Sequence, residues 1–341
     1  MNLKELSSRL GLSQTTVSRA LNGYPEVSES TRKRVQDAAV SFGYRPNTRA
    51  RSLATGRSMN IGHVLPVSTR QEMVNPIFAD FLAGASEAYG REGYNLLLSM
   101  VPDQDEEKTY RELAVSGTVD GVIVHSPKIN DSRIHLLNSL SLPFVVHGRS
   151  SEVDVQYNWL DVNNRGAFRR ATDFLIDLGH KRIALLNGKE HMDFAMRRRD
   201  GYLNALSDRG LKSDNELIRH SEMTERFGYE TATELLARSD APSAFLVASL
   251  IPAFGVRRAV EDAGMKVGRD ISILVFDDDL SYFRDDTGVP EFTSVRSSVR
   301  EAGLLAAELL LNVIETPNQP PQHRLLEASL VVGASTGPAK T

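Results

Sequence analysis

Seven short apolar runs, separated by segments with helical spacing, limit what this chain can fold into. The runs are Asn60–Val67, Tyr94–Met100, Gly121–His125, Phe144–His147, Arg182–Leu186, Ala244–Ala248 and Ile271–Phe276. Amphipathic patterns lie near 77–92, 106–116, 133–140, 164–179, 197–210, 226–238 and 252–264. Strand–helix alternation of this kind predicts parallel sheets covered on both faces by helices. Seven strands at this spacing fit either one Rossmann-like sheet or two smaller ones. A chain of 341 residues has room for about two or three domains. It has no cysteine, which excludes a disulfide framework, a thiolate metal site and a cysteine nucleophile. The first residues lack the apolar core of a secretory signal, and no apolar run reaches the roughly 20 residues of a membrane helix. A soluble, cytoplasmic protein is expected.

The first sixty residues differ from the rest. They hold ten basic and four acidic residues, a net +6, whereas the other 281 hold 30 basic and 40 acidic, a net −10. A basic head on an acidic body suggests nucleic-acid binding. Leu3, Leu6 and Leu10 recur at helical spacing, Gly11 supplies a turn, and Ser13 is placed to cap a second helix. In that helix Val17, Ala20 and Leu21 share a face, leaving Gln14, Thr15, Thr16, Ser18 and Arg19 as its polar residues. Asn22, Gly23 and Pro25 stop it. Ser28 caps a third helix, with Val35, Ala38, Ala39 and Phe42 inward and Arg32, Lys33 and Arg34 outward. Two short helices joined through a glycine turn form the helix-turn-helix pattern, whose second helix enters the major groove. Gln reads adenine, Arg reads guanine, and a Thr methyl meets a thymine methyl.

The run Leu3-Lys-Glu-Leu-Ser-Ser-Arg-Leu-Gly11-Leu-Ser13-Gln-Thr-Thr-Val17-Ser18-Arg19-Ala-Leu-Asn22 resembles the headpiece of the lactose/galactose repressor family. So do Val27-Ser28-Glu-Ser-Thr31-Arg32 and Gly43-Tyr44-Arg-Pro46-Asn47, followed by Ala50-Arg51-Ser52-Leu53-Ala54. The resemblance implies a headpiece over 1–46, a hinge over 47–57 and an effector-binding, dimerising core over 58–341. It implies that Gln14 and Thr15 read bases. Ser13, Thr16, Ser18, Arg19 and Asn22 join them on the DNA, with Tyr44 and Asn47 on phosphates. Ala50 and Leu53 lie in a hinge helix, with Leu53 as the wedge inserted into the minor groove.

For the core, the resemblance implies two parallel-sheet subdomains like those of periplasmic sugar-binding proteins. One spans about 58–160 and 291–319, the other about 161–290 and 320–337, with crossings near 158–162, 288–293 and 318–323. An effector would lie between them, at the carboxyl ends of the strands. The implied contacts are Asn75, Phe78, Arg149, Asp161, Arg198, Met223, Ser249 and Asp277. Arg198, in Arg198-x-x-Gly201-Tyr202, matches the family arginine that forks onto sugar hydroxyls. Asp278 and Asp279 read as capping or solvated residues. The chain departs from the family at Ser249-Leu250, where Asn-Asp is common. Met223, Ser297 and Val299 also stand where larger or aromatic residues occur in other members. These departures imply a wider, more apolar pocket with room for a disaccharide.

No Gly-rich phosphate loop, G-x-S-x-G elbow or H-E-x-x-H motif is present, and the eight histidines lack metal-ligand spacing. No catalytic residue, metal or cofactor is expected. The sequence therefore reads as a homodimeric, DNA-binding transcriptional repressor that binds a pseudo-palindromic operator and is released by a small saccharide, a glucoside or other neutral sugar. A corepressor-type regulator, whose ligand tightens DNA binding, is the alternative. A solute-binding or sugar-processing module is opposed by the headpiece.

Overall fold

The computed structural model describes residues 1–21, 23–44, 56–66, 75–281 and 288–340. The chain divides into two compact units, Met1–Met59 and Asn60–Thr341.

The first unit holds three helices, α1 (Leu3–Leu10), α2 (Gln14–Leu21) and α3 (Glu29–Ser41). Asn2 and Glu5 form a capping box at the start of α1, and Gly11 ends it at φ 60°, a left-handed conformation that glycine adopts without strain. Ser13 Oγ accepts from the Thr16 amide at 3.0 Å and so caps α2. Leu6, Val17, Ala20 and Val35 are fully buried and join the three helices. Phe42 departs from the sequence reading. It ends α3 and is 43% exposed, with the Arg9 guanidinium 4.6 Å above its ring. Arg34 is bound to the Leu10 carbonyl at 2.7 Å, and Arg32 to the Tyr24 carbonyl at 3.0 Å. Two of the three basic residues expected to face outward thus tie the helices and the turn together.

The second unit contains two six-stranded sheets. In chain order the elements are β1 (Asn60–Pro66), α4 (Pro76–Glu92), β2 (Asn95–Val101), α5 (Glu106–Ser116), β3 (Gly121–His125), α6 (Ser132–Ser139), β4 (Phe144–His147) and β5 (Asn158–Val162). Then come α7 (Asn164–Asp177), β6 (Ile183–Asn187), α8 (Asp193–Asp208), β7 (Ile218–His220), α9 (Glu225–Leu236), β8 (Ala244–Val247), α10 (Leu250–Asp262) and β9 (Ser272–Asp277). The last are β10 (Thr293–Arg296), α11 (Val299–Glu315), β11 (His323–Leu326) and β12 (Ser329–Val331). The first sheet has the order β11-β5-β4-β3-β1-β2 and is parallel throughout. The second has the order β12-β10-β9-β8-β6-β7, with only β12 antiparallel.

Of the two arrangements open to the strand pattern, the chain adopts two sheets. The expected crossings are displaced. β5 belongs wholly to the first sheet, β10 to the second and β11 to the first. The chain therefore crosses after each of these strands, at 163, 297–298 and 327–328. Residues 293–296 belong to the second subdomain and 323–326 to the first, the reverse of the sequence expectation. The shift has a simple cause: Asn158–Val162, Thr293–Arg296 and His323–Leu326 are short and mixed in polarity, so they give no apolar signal.

Side-chain alternation builds the cores. Ile183 and Leu185 face α7 and α8, while Ala184 and Leu186 face α9 and α10. In the first subdomain α4 packs against α11 with backbones nearly touching. A Cβ at Gly84 would run into the Arg300 carbonyl oxygen, and one at Gly303 into that of Phe81. This close pair brings Phe78 and Phe81 on α4 and the start of α11 to the space between the sheets. Among the described residues no helix is long and apolar enough to cross a membrane.

Candidate functional site

The exposed face of α2 is the first candidate. Because Val17 and Ala20 are buried, Gln14, Thr15 and Arg19 point to solvent, with Thr16 and Ser18 half-buried beside them. Ser13 is occupied with its cap and with Thr16 Oγ1 at 2.8 Å, which fixes the start of the helix. Tyr44 packs on the headpiece core, and burial raises its phenol pKa. The expected contacts Asn22, Asn47, Ala50 and Leu53 lie outside the described residues.

The second candidate is a cleft of about 970 Å³, open space at its mouth included, lying where the carboxyl ends of strands from both sheets meet. Asn75, Phe78, Arg149, Asp161, Arg198 and Met223 line it, as the sequence suggested. Asn75 also caps α4, accepting from the Ile77 amide at 3.0 Å, with Pro76 at the first helical position.

Two expected residues do not line the cleft. Ser249 is buried as the cap of α10, accepting from the Ile251 amide at 3.5 Å. The preceding residue reaches the site instead, through the Ala248 carbonyl, which accepts from Arg198 at 2.7 Å. Asp277 turns to Arg296 at 2.8 Å and to the Asp279 amide at 2.8 Å. Alternation along β9 explains the difference, since Phe276 and Asp278 share the cleft side and Asp277 the opposite one. Asp278, read from the sequence as a capping or solvated residue, is thus the member of the Asp277–Asp279 run that lines the cleft. Phe81, His147, Asn164, Phe194 and Phe276 also line the site and were missed. They belong to otherwise ordinary core runs, and only the topology brings them together.

Arg198 sits at the centre. Its Nε donates to Asn164 Oδ1 at 2.7 Å, and its guanidinium lies 4.0 Å from the Phe276 ring, 4.9 Å from Phe194 and 5.1 Å from Phe168. Burial pulls its pKa down to about 10 against the pull of Asp278 and Asp161. Burial pushes Asp278 up to about 7, opposed by Arg198 and reinforced by Asp277. An ion pair joins Arg149 Nε to Asp161 at 2.7 Å, and Asp161 also accepts from Asn164 at 3.2 Å. Burial raises Asp161, and Arg149 opposes that rise. Arg149 stands 4.8 Å from the ring of Trp159, the only tryptophan, which stacks on His323 at 4.7 Å. Among the described residues no group of three or more His, Asp or Glu side chains is arranged to hold a metal ion.

One wall is closed by contacts between the subdomains. The Ile129 amide donates to the His191 carbonyl at 3.1 Å and the Asp193 amide to the Pro127 carbonyl at 3.1 Å, forming a bridge at Lys128 and Met192. The fully buried Asp193 accepts from Ser151 and Arg197. Buried Arg133 holds the first-subdomain side, binding Asp131, Glu106 and the His125 carbonyl.

Residues 2–47 match the bacterial regulatory proteins of the lacI family, and residues 172–336 match a periplasmic binding protein-like domain. The HTH-type transcriptional regulator AglR of Rhizobium meliloti (strain 1021) is 45% identical over 339 residues, covering 99% of this chain and 95% of the relative. This chain belongs to the lacI family of bacterial regulatory proteins. As a lacI-family member it is a DNA-binding transcriptional regulator rather than an enzyme. A solved complex of the transcriptional regulator CelR with cellobiose is similar over 98% of this chain and 99% of that one, with a TM-score of 0.73 and 28% identity. The lac repressor dimer bound to operator and the anti-inducer ONPF shares the fold over 99% of each chain, with a TM-score of 0.82 at 24% identity.

Proposed function

We propose that this lacI-family regulator is a homodimeric repressor whose cleft binds a neutral saccharide, and that the bound saccharide releases it from a pseudo-palindromic operator. One observation carries the ligand class: the cleft balances two guanidinium groups, Arg149 and Arg198, against two carboxyl groups, Asp161 and Asp278, among the rings of Phe78, Phe81, Phe194 and Phe276. A mixed set of donors and acceptors suits hydroxyl groups, and aromatic rings suit the apolar faces of a sugar. The cellobiose held by the similar regulator CelR supports the same class.

On the DNA side, Gln14 and Thr15 read bases from α2, and Ser13, Thr16, Ser18, Arg19 and Asn22 join them on the DNA. Tyr44 and Asn47 hold phosphates. Residues 47–57 form the hinge, and Leu53 wedges into the minor groove. The two-fold symmetry of a dimer matches that of the operator. The saccharide favours one arrangement of the subdomains, and that arrangement separates the two hinges. Linkage then requires operator DNA to weaken saccharide binding by the same factor.

Trp159 provides the readout for the ligand class, since Arg149 links it to the cleft. Titration with cellobiose, maltose, sucrose and trehalose, and with glucuronate and glucose 6-phosphate, is expected to give saturable binding to a neutral sugar only. Tighter binding of either anion overturns the assignment.

A further inference from the structure

The floor of the cleft contains a polar group outside the set the family resemblance implies. His147 ends β4 and opens onto the cleft. Behind it stand two more histidines. His125, at the end of β3, meets it edge to face with ring centroids 5.9 Å apart. His63, from β1, stacks on His125 at 5.2 Å, and the two share a hydrogen bond of 3.0 Å. The other nitrogen of His63 is occupied by the Tyr89 hydroxyl at 2.9 Å. Phe81 lies against His147, ring centroids 4.4 Å apart and tilted by 31°. The His147 ring is thus fixed between Phe81 and His125. Among the described residues no group hydrogen-bonds to it, while its neighbour His63 has both nitrogens paired.

The ring is also held uncharged. Burial lowers His147 to about 4, and burial with the neighbouring imidazole of His147 lowers His63 to about 3. Burial, the two other histidines and Arg133 keep His125 well below the ordinary imidazole value. A neutral imidazole offers one donor and one acceptor in a fixed plane. A sugar hydroxyl, which both donates and accepts, pairs with either nitrogen. In a floor shared with Phe78 and Phe81, an unpaired nitrogen is costly, so a ligand that lacks the matching hydroxyl is rejected.

Resting on the reading of the cleft as a saccharide site, we propose that His147 is a specificity-determining contact that reads one hydroxyl of the bound sugar. It acts beside Arg198 and the Arg149–Asp161 ion pair and ranks ligands by the presence of that hydroxyl.

The experiment uses the full chain and the tightest binder among cellobiose, maltose, sucrose and trehalose, together with the monodeoxy analogues of that sugar. Wild type is expected to lose about tenfold in affinity for one deoxy analogue, a typical hydrogen-bond contribution. His147→Leu is expected to weaken the parent sugar about tenfold and to abolish the difference between the parent and that analogue. His147→Gln, which keeps a donor and an acceptor, recovers most of both. If the leucine variant does not fold, His147→Asn, which is polar but too short to reach, gives the same two readouts. Parent affinity unchanged in His147→Leu overturns the proposal. So does an equal loss for the parent and every analogue, the mark of a purely structural residue. If no sugar in the panel binds wild type, the reading of the cleft itself fails, and wild-type behaviour alone shows which has failed.

Discussion

Asp278 makes the cleft a source of pH-dependent instability, and Asp278→Asn tests this. In the folded chain burial raises its pKa from 3.8 to about 7. Below pH 3.8 the carboxyl is protonated in both states and contributes nothing. Between 3.8 and 7 the folded chain keeps a proton that the unfolded chain has released. Stability therefore falls as pH rises through this window, by about 1.36 kcal/mol per pH unit at most. From pH 5 to pH 8 the full shift corresponds to about 3 kcal/mol, and the partial exposure of the carboxyl reduces this to about 2. An amide does not titrate, so the variant lacks this fall. Urea unfolding of both proteins at half-unit steps from pH 5 to pH 8 isolates the contribution as the difference between them. Asp278→Asn is expected to gain on wild type by about 2 kcal/mol across the range. A difference that stays constant within about 0.5 kcal/mol, the size of an ordinary surface substitution, refutes the reasoning.

Four further outcomes are expected. Arg198→Ala leaves Asn164 and the Ala248 carbonyl without their donor, at about 1–3 kcal/mol each; the saccharide response is lost while operator affinity stays, and a response at wild-type sugar concentrations removes Arg198 from the site. Gly84→Ala forces α4 from α11 and lowers stability by about 2–4 kcal/mol, whereas Gly90→Ala on the same helix, where a Cβ meets nothing within 4 Å, does not destabilise; equal urea midpoints for the two variants contradict the packing argument. The three buried histidines have depressed folded pKa values, so their contribution is present above 6.5 and is lost as pH falls below it; His63→Gln is expected to show a shallower loss between pH 6.5 and 5, and parallel profiles reject this. Leu53→Ala is expected to keep saccharide binding and dimerisation but weaken specific operator binding about tenfold or more, the scale of one lost base-step wedge; unchanged operator titration removes Leu53 from the hinge role.

Much of the fold was legible because its strands are dominated by buried apolar residues. Phe144–His147 appeared at its observed bounds, and Gly121–His125 likewise. β5, β10 and β11 give no apolar signal because Asp161, Arg296 and Arg324 interrupt runs only four or five residues long, and misplacing them displaces every crossing. In the site, the family resemblance points to Arg198 and Asp161, but it also points to Asp277 rather than Asp278. Three consecutive aspartates carry no sign of which faces the cleft until the phase of β9 is known. The histidine stack was illegible for a related reason. His63, His125 and His147 lie on three separate strands, and only the neighbouring positions of β1, β3 and β4 bring them into contact. Phe42 is misleading because apolarity at the last turn of α3 resembles core, whereas the ring is 43% exposed and carries the Arg9 guanidinium on its face.

The central claim is reciprocal coupling between cleft and headpiece. Fluorescence anisotropy of the full chain on its own upstream DNA, at fixed salt, tests it most directly, because phosphate contacts make affinity strongly salt-dependent. With and without the saccharide that saturates the Trp159 signal, the expected result is weaker operator binding, with the DNA weakening saccharide affinity by the same factor. Operator affinity left unchanged, or tightened, by a saccharide that occupies the cleft contradicts the account.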